Sequence, residues 1–126
     1  MTEKRRFHRI HFTADADLKI GNDSWDVRVL DLSLNGALIS FTEDCPLIKN
    51  LNCTLAFPLQ DNESIIKMNV SVKHLMRDHA GLCIHHIDVD SLSHLKRIIE
   101  LNTGDSSILE RELHDLVELH LSEQTG

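Results

Sequence analysis

The chain has 126 residues, of which 41% are hydrophobic, so it can bury a single core without disulfides to support it. Its three cysteines, Cys45, Cys53 and Cys83, are odd in number and lack C-x-x-C spacing, which argues against a disulfide framework and a zinc knuckle. The net charge of −7 disfavours long polyanions as partners. With no apolar run near the ~20 residues that span a bilayer and no signal-peptide apolar region, we expect a cytoplasmic protein.

The chain begins with a basic segment, which we expect to be a flexible arm over residues 1–10. Beyond it, apolar and polar residues alternate in six short segments, the pattern of half-buried strands. These segments are residues 10–20, 25–29, 36–41, 51–59, 66–72 and 82–85. Residues 21–23 and 78–81 supply turn chemistry between neighbouring segments. Because closure removes exposed edges, the pattern predicts a mostly β fold, a six-stranded antiparallel β-barrel over residues 11–88.

After residue 88 the apolar spacing changes from 2 to about 3.6, the period of an amphipathic helix. The apolar stripe consists of Leu92, Leu95, Ile98 and Ile99. We expect this helix to begin at Asp90 or Ser91 and to end near Gly104. Ser107, with Glu110 three residues on, predicts the cap of a second helix. We therefore expect C-terminal helices over residues 91–121, packed on the barrel, and a single domain over residues 1–126.

Two arginines, Arg5 and Arg9, lie four residues apart in the run Lys4-Arg5-Arg6-Phe7-His8-Arg9. The guanidinium group donates two parallel hydrogen bonds, either to phosphate oxygens or to guanine O6 and N7. Lys4 and Arg6 would add charge attraction for an anion. Taken alone, the run is more simply explained as a solvated basic tail.

The segment Asp31-Leu32-Ser33-Leu34-Asn35-Gly36 has the form D-x-S-x-x-G between two predicted strands. The Asp31 carboxylate can accept hydrogen bonds from guanine N1 and N2, or it can hold an arginine in place, and Ser33 can donate to a phosphate oxygen. Gly36 would permit a positive φ and a close approach of the backbone to a ligand. Taken alone, the segment fits a hairpin connection whose side chains bond their own backbone.

The two motifs, in this order and one hairpin apart, resemble those of the PilZ family, bacterial domains that bind cyclic di-GMP. The chain is similar to the small stand-alone members in its length, its Gly81-Leu82-Cys83-Ile84 run and its tail. The resemblance implies a PilZ barrel with helices after it, and a second-messenger receptor without a cofactor. The residues implied to bind cyclic di-GMP are Lys4, Arg5, Arg6, Arg9, Asp31, Ser33 and Gly36.

The chain departs from some relatives at one place: His74 and Leu75 stand where those relatives present a large aromatic side chain to the ligand. In the family that the chain resembles, the residues just before the first arginine help to set the ligand stoichiometry, and by that resemblance Lys4-Arg5-Arg6 favours two ligand molecules per chain rather than one. We expect a monomer whose arm folds over the ligand and so signals to an unknown downstream protein.

Other functions are less well supported by the sequence. It has no Gly-rich phosphate loop and no G-x-S-x-G motif, so we predict that the protein is not an enzyme. The nine histidines show no pair at metal-ligand spacing, so we predict no metal site. Two alternatives stay open. One is a degenerate family member acting as an adaptor, and the other is an OB-like barrel for single-stranded nucleic acid, which 4% aromatic residues and the negative charge disfavour.

Overall fold

The computed structural model describes residues 9–42, 44–59, 63–103, 111, 113 and 114. The elements whose two ends both lie within these residues are six strands and one helix. The strands are β1 (Ile10–Ile20), β2 (Asp23–Ser33), β3 (Gly36–Ser40), β4 (Asn52–Pro58), β5 (Ile65–Leu75) and β6 (His79–Ile87), and the helix is α1 (Val89–Thr103). Residues 1–8 of the predicted arm, and Ser107 and Glu110 of the predicted second helix, lie outside the described residues. Residues 111, 113 and 114 are described and helical.

The strands form a closed antiparallel barrel in the order β1-β2-β3-β6-β5-β4, with β4 returning to pair with β1. The predicted six-stranded barrel is therefore confirmed. Its last hairpin differs from the prediction, because β5 continues to Leu75 and β6 begins at His79. The turn therefore lies at residues 76–78, and three of the four predicted turn residues, His79, Ala80 and Gly81, belong to β6.

The inward-facing members of the alternating segments form the core. Leu18, Leu55 and Met68 face one another across β1, β4 and β5, and each is almost completely buried. Fully burying one such side chain contributes about 1.5–3 kcal/mol relative to leaving it exposed. The rings of Phe12 and Phe57 add a tilted contact with centroids 5.9 Å apart.

The ladder between β5 and β6 is interrupted by two β-bulges. Val72 pairs with Leu82 and His74 with Gly81, so Lys73 is an extra residue on β5. The second bulge is on β6. Asn69 pairs with His86 and Val70 with Ile84, so His85 is an extra residue on β6. A bulge re-aims side chains that would otherwise alternate between the two faces of a strand. The extra residues of the two bulges, Lys73 and His85, each line a cavity on the outer surface of the barrel.

The predicted stripe of α1 packs as expected, with Leu95 and Ile99 buried. The predicted start of the helix is wrong by one or two residues, because Asp88 is the cap: its carboxylate accepts a hydrogen bond from the Ser91 backbone N–H at 3.0 Å. Hydrogen bonds from Ser91 hold the pKa of Asp88 below its ordinary value. The Ser91 hydroxyl in turn accepts from the Lys67 N–H at 3.0 Å, which fixes α1 to β5.

The partly buried Leu113 packs against the same core. No helix in the described part of the chain has the length and apolar composition needed to cross a membrane.

Candidate ligand-binding site

A cavity of about 340 Å³ opens on the outer surface of the barrel, across β2, β3, β6 and β5. Arg9, Asp31, Ser33 and Gly36 all line it, so the described residues of the two sequence motifs meet at one place. The cavity spans four neighbouring strands, a width of about 14 Å at the usual strand spacing. Lys4, Arg5 and Arg6 lie outside the described residues.

Two basic side chains flank the Asp31 carboxylate. Arg9 Nη1 lies 3.8 Å from Asp31 Oδ2, and His11 Nδ1 lies 3.3 Å from Oδ1. His11 comes this close because it is the cross-strand neighbour of Asp31 in the β1–β2 ladder. The half-buried Asp31 thus holds Arg9 at the cavity, one of the two roles that the sequence left open for it. The sequence analysis missed His11, whose position depends on the pairing register of β1 with β2.

The Ser33 hydroxyl organises the connection between β2 and β3. Its oxygen accepts hydrogen bonds from the backbone N–H groups of Asn35 and Gly36, both at 3.1 Å. The hydroxyl also approaches the Gly36 carbonyl, at a longer 3.4 Å. The Asn35 carbonyl accepts from the Ile84 N–H at 2.9 Å, which ties the connection to β6. Ser33 therefore bonds its own backbone, as in the simpler explanation of the motif, while it also lines the cavity.

Gly36 lines the cavity, but its backbone does not have the positive φ that the sequence analysis allowed for. Among the described glycines a positive φ occurs at Gly21 and not at Gly36, so the expectation of a left-handed conformation at Gly36 is wrong. A Cβ at Gly36 would lie 1.9 Å from the carbonyl oxygen of Leu82, deep inside van der Waals contact. The reason for glycine here is the close approach of β3 and β6, where Gly36 pairs with Cys83.

Lys73 and His74 line the β5 edge of the cavity, across from Asp31 and Ser33 on β2. Lys73 is the extra residue of the β5 bulge, and His74 directly follows it. The side chain of His74 lies over Gly81, where an added Cβ would meet it at 3.4 Å. Leu75, by contrast, is not part of the lining.

Lys73 gives the cavity a positive charge that no described residue neutralises. Its side chain makes no ion pair or hydrogen bond with residues 9–42, 44–59 and 63–103 or with the three described positions beyond. Asp31, the acidic residue of the lining, is already next to Arg9 and His11. The sequence analysis did not identify Lys73. The available signal was His74, a polar residue where the alternation from Ile66 to Val72 requires an inward apolar one.

The cysteines divide between the core and this cavity. Cys45 and Cys53 are buried, and burial, with a smaller contribution from Cys45, raises the pKa of the Cys53 thiol to about 11. The half-buried Cys83 lines the cavity. Because the thiolate is the reactive form of cysteine, the two core thiols are poor nucleophiles.

Comparisons with known proteins agree with this architecture. A family model for the PilZ domain matches residues 3–101. The PilZ domain of YcgR from Escherichia coli, in a structure with c-di-GMP, is 17% identical, with a TM-score of 0.66 over 92% of this chain and 98% of that one. The PilZ domain of CeSA from a cellulose-synthesizing bacterium is 15% identical, with a TM-score of 0.58 over 77% of this chain and 96% of that one.

The inhibitor of motility MotI/DgrA from Bacillus subtilis is 13% identical, with a TM-score of 0.67. The match covers 82% of this chain and 53% of that one, so this chain spans about half the length of the Bacillus protein. At these low sequence identities, the comparison with the solved structures shows that the fold is shared.

Proposed function

Since the PilZ-domain model spans most of its length, the chain belongs to the PilZ family, and we propose that it is a receptor for cyclic di-GMP whose function is binding rather than catalysis. The observation that carries the proposal is that Arg9 of one motif lines the same cavity as Asp31, Ser33 and Gly36 of the other motif, which follows a whole hairpin later in the sequence. The similar YcgR domain was solved with this ligand.

The chemistry of the cavity suits a compact dianion with two guanines. The Arg9 guanidinium can donate to a phosphodiester or to guanine O6 and N7, and Asp31 orients it from 3.8 Å. Lys73 supplies a second positive charge about three strands away, on the β5 edge. A ligand with phosphates and bases spread over this width can contact both edges at once.

We propose that Lys4, Arg5 and Arg6 complete the site when the arm folds over the ligand. The predicted arm over residues 1–10 is shortened at its end, because Ile10 is buried and already belongs to β1. At about 340 Å³ the cavity lies near the lower end of the range for small-molecule sites, so part of the dinucleotide would remain uncovered without the arm. Arg5 is four residues from Arg9, within about 14 Å even in an extended chain. Ordering the arm would change the surface that a downstream protein meets, with residues 1–126 acting as one monomeric domain in the cytoplasm.

Isothermal titration calorimetry of the purified chain tests ligand identity. We expect micromolar or tighter binding of cyclic di-GMP, and none of cyclic di-AMP or GTP. The measured stoichiometry distinguishes one ligand molecule from the intercalated pair that the three consecutive basic residues favour. Asp31→Ala should weaken binding, while Asp26→Ala, on the exposed face of the same strand, should not. A folded wild-type chain that takes up no cyclic di-GMP would refute the receptor hypothesis and favour the adaptor.

The arm is tested separately by NMR relaxation of the backbone amides of residues 2–8, with and without cyclic di-GMP. The proposal predicts that their motion on the picosecond-to-nanosecond timescale decreases on binding. If the ligand binds and the relaxation of these amides does not change, the arm does not fold over the ligand, although the chain is still a receptor.

A further inference from the structure

A second cavity, of about 650 Å³, lies on the outer surface at the other end of β5 and β6. The two cavities use different residues of these strands: the first contains Lys73, His74 and Gly81 to Cys83, and the second contains Asn69, His85 and His86. Neither sequence motif contributes to the second cavity, and the proposed binding of cyclic di-GMP does not use it.

A row of polar side chains crosses this second cavity. The pairing registers place Lys19 opposite Thr54, Thr54 opposite Asn69, and Asn69 opposite His86, on the four neighbouring strands β1, β4, β5 and β6. The row is therefore about 14 Å long, with a lysine at one end and a histidine at the other. The bulge at His85 adds a second imidazole at the histidine end.

The side chains of this row offer hydrogen-bond donors to a bound ligand. The Thr54 hydroxyl donates to the Asn69 side-chain carbonyl at 3.0 Å, so the NH₂ group of Asn69 remains available to donate. Lys19 is a donor only, and imidazole carries an N–H in either neutral tautomer.

None of the residues that line this cavity is acidic, although the chain carries a net charge of −7. Asp17, two residues before Lys19 on the same face of β1, is not part of the lining. A smaller cavity of about 170 Å³ continues from Asn69 and His86 toward Lys67. Its one acidic lining residue, Asp88, already accepts a hydrogen bond as the cap of α1.

From this arrangement we propose that the row formed by Lys19, Thr54, Asn69 and His86 binds an extended acidic segment of a partner protein. Its donors are spread singly across four strands rather than converging on one point, which suits several separate carboxylates better than a single phosphate. In an extended segment, acidic side chains at alternate positions point the same way and are about 7 Å apart. Three of them span about 14 Å, the length of the row.

Fluorescence anisotropy with a labelled peptide of alternating Glu and Ser tests the proposal, with the matching Gln and Ser peptide as the uncharged probe. The double variant Lys19→Glu/His86→Glu reverses the charge at both ends of the row. Both positions are exposed, so the fold should persist, which circular dichroism checks. Lys49→Glu is the matched control, because Lys49 is exposed and lies outside the row.

We expect the wild-type chain to bind the acidic peptide and not the uncharged one, and the double variant to bind at least about tenfold more weakly. Lys49→Glu should bind as the wild type does, and binding of cyclic di-GMP should be unchanged in both variants. The proposal is overturned if the wild-type chain does not bind the acidic peptide, or if Lys49→Glu weakens binding as much as the double variant. It is also overturned if inorganic phosphate, and not the peptide, perturbs the amides of Lys19, Asn69 and His86 in NMR spectra.

Discussion

Replacing Gly36 by alanine tests why the D-x-S-x-x-G motif ends in glycine. The added Cβ would lie 1.9 Å from the Leu82 carbonyl oxygen, whereas carbon and oxygen atoms in ordinary contact are more than 3 Å apart. The obstacle is backbone, which cannot rotate away as a side chain can. Strands β3 and β6 would have to separate by more than an ångström, and this threatens the Asn35–Ile84 hydrogen bond and the pairing of Gly36 with Cys83.

We expect Gly36→Ala to cost about 3 kcal/mol or more of unfolding free energy, at the upper end of the usual overpacking range. Gly21→Ala is the matched comparison. Gly21 has a φ of +62° and no atom near its added Cβ, so alanine there meets only backbone strain of about 1–2 kcal/mol. Comparing the two variants therefore separates the cost of a steric clash from the cost of an unfavourable backbone conformation.

Urea unfolding followed by circular dichroism measures both variants. With a slope of about 1–3 kcal/mol per molar urea, Gly36→Ala should lower the midpoint by about 1 M or more, and by more than Gly21→Ala does. Binding of cyclic di-GMP to Gly36→Ala should weaken as well, because Ser33 and Gly36 share one turn. If Gly36→Ala is as stable as the wild type, the close approach of β3 and β6 does not explain the glycine.

Three further predictions concern single side chains. Arg9→Ala should weaken cyclic di-GMP binding by about 2–5 kcal/mol in calorimetry, whereas Arg28→Ala, which removes an exposed partner of Asp15, should not. Lys73→Ala should lower the affinity and also its salt dependence, and an unchanged salt dependence would mean that Lys73 does not contact the ligand. Asp88→Ala should destabilise the fold at pH 7. Because hydrogen bonds lower the folded pKa of Asp88, this stabilisation is present above about pH 3.9 and is lost as the pH falls through the lowered folded pKa, so the two unfolding curves should converge in acid.

The local pattern of the sequence was sufficient for the secondary structure. Period-2 alternation located all six strands, because the inward residues of a barrel wall must be apolar and the outward ones polar. The change to a period of 3.6 located α1, because the side of the helix that packs on the barrel must be apolar. The errors lie at the ends of elements: at the cap Asp88, in the last hairpin, and in β2, which was predicted over residues 25–29 but spans Asp23–Ser33 and so includes Asp31 and Ser33.

The resemblance of the two motifs to the PilZ family implied Arg9, Asp31, Ser33 and Gly36 as site residues, whereas each motif taken alone had a simpler structural explanation. Only the tertiary structure showed that these residues line one cavity, that Lys73 and His11 lie beside them, and that Gly36 avoids a clash with Leu82. The physical reason is closure of the barrel. Closure places β6 between β3 and β5, and the register of those non-local pairs, with its bulges, decides which side chains face each other.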